Sequence, residues 1–285
     1  MASAIERDAD LPICRACATQ YSADQKLPDV CPVCADDRHA IPPTGQEWTS
    51  LRKLKDEGMT NEFKVNNADH NILYIVTEPK FAIGQSPFLV KTADGWMMLE
   101  SGGFVDEESV AHIQQLVRES GQPFLGISIS HPHWYNASTT WARALGCRVY
   151  ANELDKAWWM RKDSINEVPV WITEKRYKLG KHATILHCGG HFEGSSVTYI
   201  ERPGKAGLLC AGDTIMVGHN AQDVSFMYSY TNWIPLKPEQ VQTIWDTVSA
   251  YDWTDIYGAW PHRYIVGDGR ERVMQGAKRW APIAV

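Results

Sequence analysis

The chain has 285 residues, of which 44% are hydrophobic and 22% are charged, and its mean hydropathy is -0.33. This composition excludes a largely disordered, collagen-like or low-complexity protein. The formal net charge of -6 provides no global basic field, so we expect no nucleic-acid partner. We also expect no membrane partner, because the sequence contains no long apolar stretch and no secretory signal.

Two CxxC pairs dominate the amino-terminal 40 residues, Cys14 with Cys17 and Cys31 with Cys34. The segment lacks apolar periodicity, and a segment this short cannot bury a core of its own. Four thiolates around one Zn²⁺ ion at about 2.3 Å supply the missing folding free energy. The sequence therefore predicts a structural zinc ribbon, in a module and linker that span residues 1–45. Paired cysteines that bind metal also favour a reducing compartment, so we expect a cytoplasmic protein.

Strand and helix patterns alternate after this module, and we assign them to one domain over residues 46–285. Predicted helices lie at 47–57, from Asp106 onward, at 137–145, 153–160 and 238–250, and from about residue 269. Predicted strands lie at 72–77, 88–92, 96–100, 124–130 and 148–150, as a pair around 177–186, and at 196–201, 207–211 and 255–259. A long irregular segment covers 217–236. Strand clusters with helices between them predict an α/β (α+β) fold of two sheets with helices outside.

Metal-type side chains follow four of these predicted strands. His131 and His133 flank Pro132 directly after strand 124–130, and His191 follows two glycines. Asp213 follows an apolar strand and a glycine, and His262 comes after the last strand. Each residue alone is typical of a loop, but four strand ends that each supply a ligand type indicate one metal site.

The succession HxH, GGH, GD and a late PH resembles the metallo-β-lactamase fold superfamily over about residues 70–285. The resemblance implies an αββα sandwich with a metal site at one edge. The chain departs from the superfamily's HxHxDH motif, because Tyr135 and Asn136 stand where that motif has Asp and His.

Carried over to this chain, the resemblance implies a first metal site of His131, His133 and His191. Asp213 matches a carboxylate that bridges two metals, and His262 matches a ligand of the second metal. Because the second site has lost two ligands, we expect one tightly held Zn²⁺ or other divalent ion and a second site that is weak or empty.

The implied chemistry is hydrolysis of a small ester, thioester, lactam or lactone by a metal-bound hydroxide. Asp213 is the remaining catalytic carboxylate. Tyr135 either donates a hydrogen bond to the hydroxide or an oxyanion, or ligates the ion, unless Tyr135 and Asn136 only cap the next helix. Aromatic and polar side chains near the motif and in the irregular segment form the expected substrate-binding set, which is Trp134, Asn136, Tyr228 and Trp233.

Two other functions stay open at this stage. The first is a non-catalytic or weakly catalytic binding protein, which the loss of the motif's Asp and His favours. The second is an iron-dependent redox enzyme, because a rubredoxin-like four-cysteine module can hold iron. The partner in the leading hypothesis is a small-molecule substrate, and the sequence allows a homo-oligomer without specifying one.

Overall fold

The computed structural model describes residues 2–281, which form two large β-sheets with helices on both outer faces. Side chains from both sheets meet in one central core, as Tyr74 and Phe88 do with Ile200 and Leu208. Two further cores bury the outer faces of the sheets under helices. The predicted α/β class and αββα sandwich are therefore confirmed.

The first sheet has seven strands in the order β3-β4-β5-β6-β7-β8-β9, antiparallel from β3 to β6 and parallel from β6 to β9. Its strands are β3 (Thr60–Val65), β4 (Ile72–Glu78), β5 (Phe88–Lys91), β6 (Trp96–Leu99), β7 (Phe124–Ser128), β8 (Val149–Asn152) and β9 (Pro169–Ile172). Alternation along β4 sends Ile72 into the central core and Leu73 toward the helices.

The second sheet has six strands in the order β10-β11-β12-β13-β18-β19. Its strands are β10 (Arg176–Lys178), β11 (Ala183–His187), β12 (Ser196–Arg202), β13 (Lys205–Cys210), β18 (Trp253–Tyr257) and β19 (Tyr264–Ile265). Only the β13–β18 pair is parallel, since helix α6 (Pro238–Ser249) connects these two strands across the outer face. Across the central core, the Ser128 and Thr198 hydroxyls lie 3.0 Å apart and join the two sheets.

Four helices cover the sandwich, and their ends follow the sequence signals. They are α4 (Glu107–Ser120), α5 (Ser138–Leu145), α6 (Pro238–Ser249) and α7 (Gly269–Trp280). The Asp106 carboxylate accepts a hydrogen bond from the Ser109 amide at 2.7 Å and caps α4, as predicted from the start of its pattern. Within residues 2–281, no helix combines the length and the apolar composition that a membrane crossing requires.

The amino-terminal elements are short. They are α1 (Ala4–Asp8), β1 (Ile13–Cys14), α2 (Pro32–Ala35), β2 (Trp48–Thr49) and α3 (Leu51–Asp56). The helix predicted over 47–57 was wrong in its first turn, because Trp48 and Thr49 pair with β1 instead. The Ser50 hydroxyl then caps α3 by accepting a hydrogen bond from the Lys53 amide at 3.3 Å.

This amino-terminal region is docked on the sandwich through buried polar contacts. Asp8 pairs with Arg161 at 3.0 Å and accepts a hydrogen bond from the Thr140 hydroxyl at 2.7 Å. These contacts satisfy a buried charge, which would otherwise be costly. The boundary between residues 45 and 46 stays a prediction, and contacts such as the β1–β2 pairing run across it.

Several elements differ from the sequence prediction. Strand β3 was missed because its residues are mostly exposed and polar, and β19 has only two residues. Strand β9 was also missed, although it is as long as β5 and β6. The helix predicted at 153–160 is a 3-10 turn, Glu153–Trp158. The irregular segment 217–236 contains two small hairpins, formed by β14 (Met216–Val217), β15 (Val224–Ser225), β16 (Met227–Ser229) and β17 (Ile234–Pro235).

Candidate metal centres

Three histidines and one aspartate meet where strands β7, β11 and β13 end. His131 and His133 lie just after β7, in and next to a 3-10 turn, while His191 follows β11 and Asp213 follows β13. All four side chains are buried, and one potential ligand atom from each lies within 4.8 Å of the others. The structure thus brings together the three histidines that the resemblance assigned to the first metal site and the carboxylate that it assigned as a bridging ligand.

The spacing of these donor atoms matches a small divalent ion. Nε2 of His131 lies 3.5 Å from Oδ2 of Asp213, and Nε2 of His191 lies 3.9 Å from the same oxygen. Nδ1 of His133 lies 3.5 Å from Nε2 of His191. Donors on a tetrahedral ion with bonds of 2.0–2.1 Å are about 3.3 Å apart, so a modest contraction brings these donors to metal-binding distance of one ion.

Hydrogen bonds on the outer nitrogens orient two of the histidines. Nδ1 of His131 lies 2.8 Å from the Ser130 hydroxyl, and Nδ1 of His191 donates to the Met227 carbonyl at 3.2 Å. These bonds leave both Nε2 atoms directed at the cluster, which is the arrangement that holds a metal-binding imidazole in place.

Unsatisfied buried atoms are a second sign that an ion fits here. Nε2 of His131 and Oδ1 of Asp213 are buried without a hydrogen-bond partner among the described residues. Burial, reinforced by the charge of His131, lowers the pKa of His191 to about 4 and that of His133 well below its usual value. Both rings are therefore neutral at pH 7, as metal binding requires.

Asp213 is ionised for a different reason. Burial alone raises the pKa of a carboxyl group, but the imidazole of His131, 3.5 Å away, together with the nearby His191 and Arg263, holds the pKa of Asp213 below its usual value. The cluster therefore offers three imidazoles and one carboxylate, a donor set typical of zinc and similar divalent ions.

Two glycines allow the chain to reach this geometry. Gly190 and Gly212 have φ angles of +92° and +51°, which disfavour any residue with a Cβ atom. A Cβ on Gly190 would lie 2.9 Å from Leu236, and one on Gly212 would lie 2.4 Å from the Ser130 hydroxyl oxygen. The GGH and GD patterns are thus required by backbone conformation and by close packing behind the ligands.

Glu100 supports the cluster from behind. It directly follows β6, its φ is +66°, and its Oε2 accepts a hydrogen bond from the Ser130 amide at 3.0 Å. Burial raises the pKa of Glu100 to about 7. Through its hydrogen bond to the Ser130 amide, Glu100 fixes the segment that carries His131.

The four cysteines form a second cluster. All four are buried free thiols, and the Sγ atoms of Cys14 and Cys34 lie 3.6 Å apart, as those of Cys17 and Cys31 do at 3.7 Å. Sulfurs on a tetrahedral zinc ion with 2.3 Å bonds are separated by about 3.8 Å.

Polar side chains around the cysteines complete this second site. The Gln46 amide donates to Sγ of Cys14 at 3.2 Å, and the Tyr21 hydroxyl donates to Sγ of Cys31 at 3.1 Å. Such donors stabilise sulfur ligands that carry negative charge. The predicted four-cysteine module is therefore present, with a geometry that fits one metal ion.

The HxH pattern is followed by Trp134, Tyr135 and Asn136, and the side chains of these three residues do not reach the metal ligands. The Tyr135 hydroxyl donates to the Asp155 carbonyl at 3.4 Å, and its ring packs on Trp159. In a 3-10 turn, side chains three apart share a side, so Tyr135 lies with Pro132 rather than with His133. Trp134 and Asn136 are also buried, and the Asn136 amide donates to the Ser101 carbonyl at 3.0 Å. The helix cap that the sequence allowed for Asn136 is not formed either, since Ala137 precedes α5.

The remaining predicted site residues lie farther out. His262 is exposed and stacks on His219 with ring centroids 6.0 Å apart, so the structure does not bring it into the four-donor cluster. Tyr228 donates to Asp37 at 2.8 Å, and Trp233 is 81% exposed on the β16–β17 hairpin. The structure therefore leaves the second metal position without a ligand group of its own among the residues it describes.

A cavity of about 460 Å³ opens onto His133, His191 and Asp213. Its walls come from both the amino-terminal module and the sandwich, and they include Arg38, His39, Ile41, Ile83, Met216 and Trp260. Sequence reasoning missed Arg38 and His39, because neither follows a strand and no local pattern marks them.

Comparison with known proteins agrees with this architecture. No family model matches the chain. The uncharacterized protein YmaE of Bacillus subtilis is 30% identical over 269 residues, which is 94% of each chain. The chain belongs to the same protein family as YmaE. This relationship covers both the four-cysteine module and the sandwich.

Solved structures identify the fold that this YmaE-related chain adopts. The DIM-1 metallo-β-lactamase superposes with a TM-score of 0.53 at 13% identity, over 76% of this chain and 96% of that one. The metallo-β-lactamase from Hirschia baltica gives a TM-score of 0.53 at 16% identity, over 79% of this chain and 99% of that one. The sandwich therefore has the metallo-β-lactamase fold, and the resemblance seen in the sequence is confirmed.

Proposed function

We propose that this chain is a metal-dependent hydrolase of a small ester, thioester, lactam or lactone. The observation that carries the proposal is a buried, preformed set of three imidazoles and one carboxylate that faces a cavity of about 460 Å³. A cavity of this size suits a small molecule. The fold supports the proposal as well, since its structural neighbours are metallo-β-lactamases.

His131, His133 and His191 would hold the ion, with Asp213 as the fourth donor. When bound, a divalent ion supplies polarisation of the substrate carbonyl and activation of a water molecule at neutral pH. The chain's own contribution is to keep the donors aligned, through Ser130 on one histidine and the Met227 carbonyl on another.

Asp213 has a second task in this proposal. Its Oδ2 faces His131 and His191, while its Oδ1 is buried without a hydrogen-bond partner in residues 2–281. Because its lowered pKa keeps Asp213 ionised, Oδ1 can accept a hydrogen bond and so orient the attacking water. Tyr230 steadies this residue, since its hydroxyl donates to the Asp213 carbonyl at 3.1 Å.

The cavity wall favours a compact acyl group. Ile41, Ile83, Met216 and Trp260 give the cavity an apolar lining beside the polar floor. Apolar walls exclude bulk water and thereby strengthen electrostatic interactions at the reacting carbonyl. The same walls bind the hydrocarbon part of an ester, thioester, lactam or lactone by burying it.

The donor set supports one active-site ion rather than two. Tyr135 and Asn136 are packed into the protein interior, and His262 lies outside the cluster. A second ion would therefore share only Asp213 with the first. A site with three protein imidazoles, a carboxylate and substrate access is compatible with catalysis by a single metal.

The proposal is tested by hydrolysis assays on the zinc-loaded full chain, with a nitrophenyl ester, an acyl thioester and a chromogenic lactam. We expect turnover of at least one class, and a loss of about 100-fold or more in kcat/KM for His191→Ala and Asp213→Asn. His70→Ala is the matched control, because His70 is exposed and lies far along the chain from the cluster ligands. Zinc binding without turnover of any substrate, or equal rates in all variants, would favour the binding-protein alternative.

A further inference from the structure

Arg38 connects the four-cysteine module to the histidine cluster. It lies only four residues after Cys34, yet its Nη1 donates to the backbone carbonyl of His191 at 3.2 Å. The two residues are 153 positions apart in the chain. A charged donor on this carbonyl restrains the peptide that carries a metal ligand.

The same guanidinium packs on the residue that follows His191. Its central carbon lies 3.7 Å from the centre of the Phe192 ring, a close cation–π contact. The Phe192 ring in turn contacts His131, His133 and His191, with centroid distances of 5.7, 5.0 and 5.2 Å. Arg38 therefore restrains the cluster twice, through a ligand's backbone and through the ring that packs on all three imidazoles.

Asp36 holds Arg38 in this position. Nε and Nη2 of Arg38 donate to the two carboxylate oxygens of Asp36 at 2.6 and 2.8 Å, and the Arg38 side chain is only 11% exposed. A two-pronged pair of this kind fixes the guanidinium plane. It also neutralises the guanidinium charge, which would otherwise repel a cation held by the histidines.

The segment that carries Arg38 is anchored at both ends. On one side, the Asp36 amide donates to the Pro32 carbonyl at 3.2 Å, next to Cys31 and Cys34. On the other side, the Asp37 carbonyl accepts hydrogen bonds from Ser229 at 2.5 Å and Asn232 at 2.7 Å. The adjacent His39 ring packs edge-on against His133 with centroids 5.3 Å apart.

We propose that Arg38 is a positioning residue for the histidine cluster, and that the four-cysteine module is for this reason a working part of the active site. The inference rests on the proposed function only in taking the histidine cluster to bind a metal. The module's fold fixes Asp36 and Arg38, Arg38 fixes His191 and Phe192, and these fix the geometry of the donors.

The test is a Co²⁺ titration of the full chain, since thiolate and histidine sites give separable absorption bands. For Arg38→Gln we expect the dissociation constant at the histidine site to rise about 10-fold or more, as for other supports of metal ligands. We also expect its ligand-field band to change shape, while the thiolate-to-cobalt band stays as in wild type.

Arg15→Gln is the matched control, because Arg15 lines the same cavity but pairs with Glu57 and contacts no histidine ligand. We expect its dissociation constant within about twofold of wild type. Arg38→Lys keeps the charge but not the planar fork, so it should restore only part of the affinity and leave the altered band shape. A positioning role therefore predicts the order wild type, Arg38→Lys, Arg38→Gln.

Wild-type affinity and an unchanged band in Arg38→Gln would overturn the inference. If Arg38→Gln loses both absorption bands, its four-cysteine module has unfolded, and the Arg38→Lys variant is used instead. Weaker Co²⁺ binding at the histidine site of Arg38→Lys, with an intact thiolate band, supports the inference. Wild-type Co²⁺ binding in Arg38→Lys overturns it. Failure of the proposed function looks different, because wild type would then bind Co²⁺ at the histidines without hydrolysing any substrate.

Discussion

Replacing Gly212 by alanine tests how tightly the chain is packed behind the metal ligands. Gly212 has a φ of +51°, and a Cβ there would lie 2.4 Å from the Ser130 hydroxyl oxygen and 3.1 Å from Oε1 of Glu100. Both neighbours support His131, since Ser130 contacts its Nδ1 and Glu100 binds the Ser130 amide. The new methyl group must therefore displace the supports of a ligand.

The magnitude follows from two separate costs. A left-handed backbone costs alanine about 1 kcal/mol relative to glycine. Overpacking at a site without free space costs about 1–3 kcal/mol more. We therefore expect the free energy of unfolding to fall by about 2–4 kcal/mol, and metal affinity at the histidine cluster to fall by about 10-fold or more.

Gly204→Ala separates the two costs. Gly204 lies between β12 and β13 with a φ of +81°, and a Cβ added there would have no other atom within 4 Å. This variant should lose only about 1 kcal/mol and keep wild-type metal affinity. Urea unfolding and a chelator competition measure both quantities. Equal losses of stability in the two variants, with metal affinity unchanged in both, would refute the packing argument around Ser130.

Three further predictions concern other parts of the molecule. Burial raises the pKa of Asp155 to about 6, so as pH rises the unfolded chain loses this proton before the folded chain does. Wild type should therefore lose stability relative to Asp155→Asn between about pH 4 and 6, by up to about 3 kcal/mol. Urea unfolding of both proteins from pH 4 to 7 measures this difference, and a constant difference would contradict the prediction. Tyr135→Phe should change kcat by less than about twofold and lower the free energy of unfolding by about 1 kcal/mol, because the Tyr135 hydroxyl donates to the Asp155 carbonyl and not to a metal ligand. A large loss of kcat in this variant would restore the predicted catalytic role of Tyr135. Cys31→Ser should remove one metal ion per chain and destabilise the four-cysteine module by several kcal/mol. Metal analysis and thermal unfolding measure these two effects, and an unchanged metal content would exclude a four-cysteine metal site.

Residues that act locally could be predicted from the sequence. The HxH, GGH and GD patterns each follow an apolar strand, and strand ends at one edge of a sandwich converge whatever the remaining chain does. The four cysteines were equally predictable, since their spacing is dictated by the ion they would share. The helix start at Asp106 followed from capping chemistry, which also involves only neighbouring residues.

Residues whose surroundings are set by distant parts of the chain could not be predicted. Arg38 meets His191 across 153 positions, and no periodicity signals such a contact. Tyr135 and Asn136 were assigned to the site by comparison with a motif, but both follow the 3-10 turn Pro132–Trp134 and are buried in the interior. Strand β3 escaped notice because most of its residues are polar and exposed, and only pairing with β4 makes it a strand.

We expect this chain to bind metal at two separate sites, and a count of bound metal ions tests this expectation. Plasma mass spectrometry of the purified protein should find about two ions per chain in wild type and one in the His131→Ala/His133→Ala double variant. One ion in both proteins would leave only the four-cysteine site occupied and contradict a metal centre at the histidines. Three ions in wild type would contradict the single active-site ion inferred from the positions of Tyr135, Asn136 and His262.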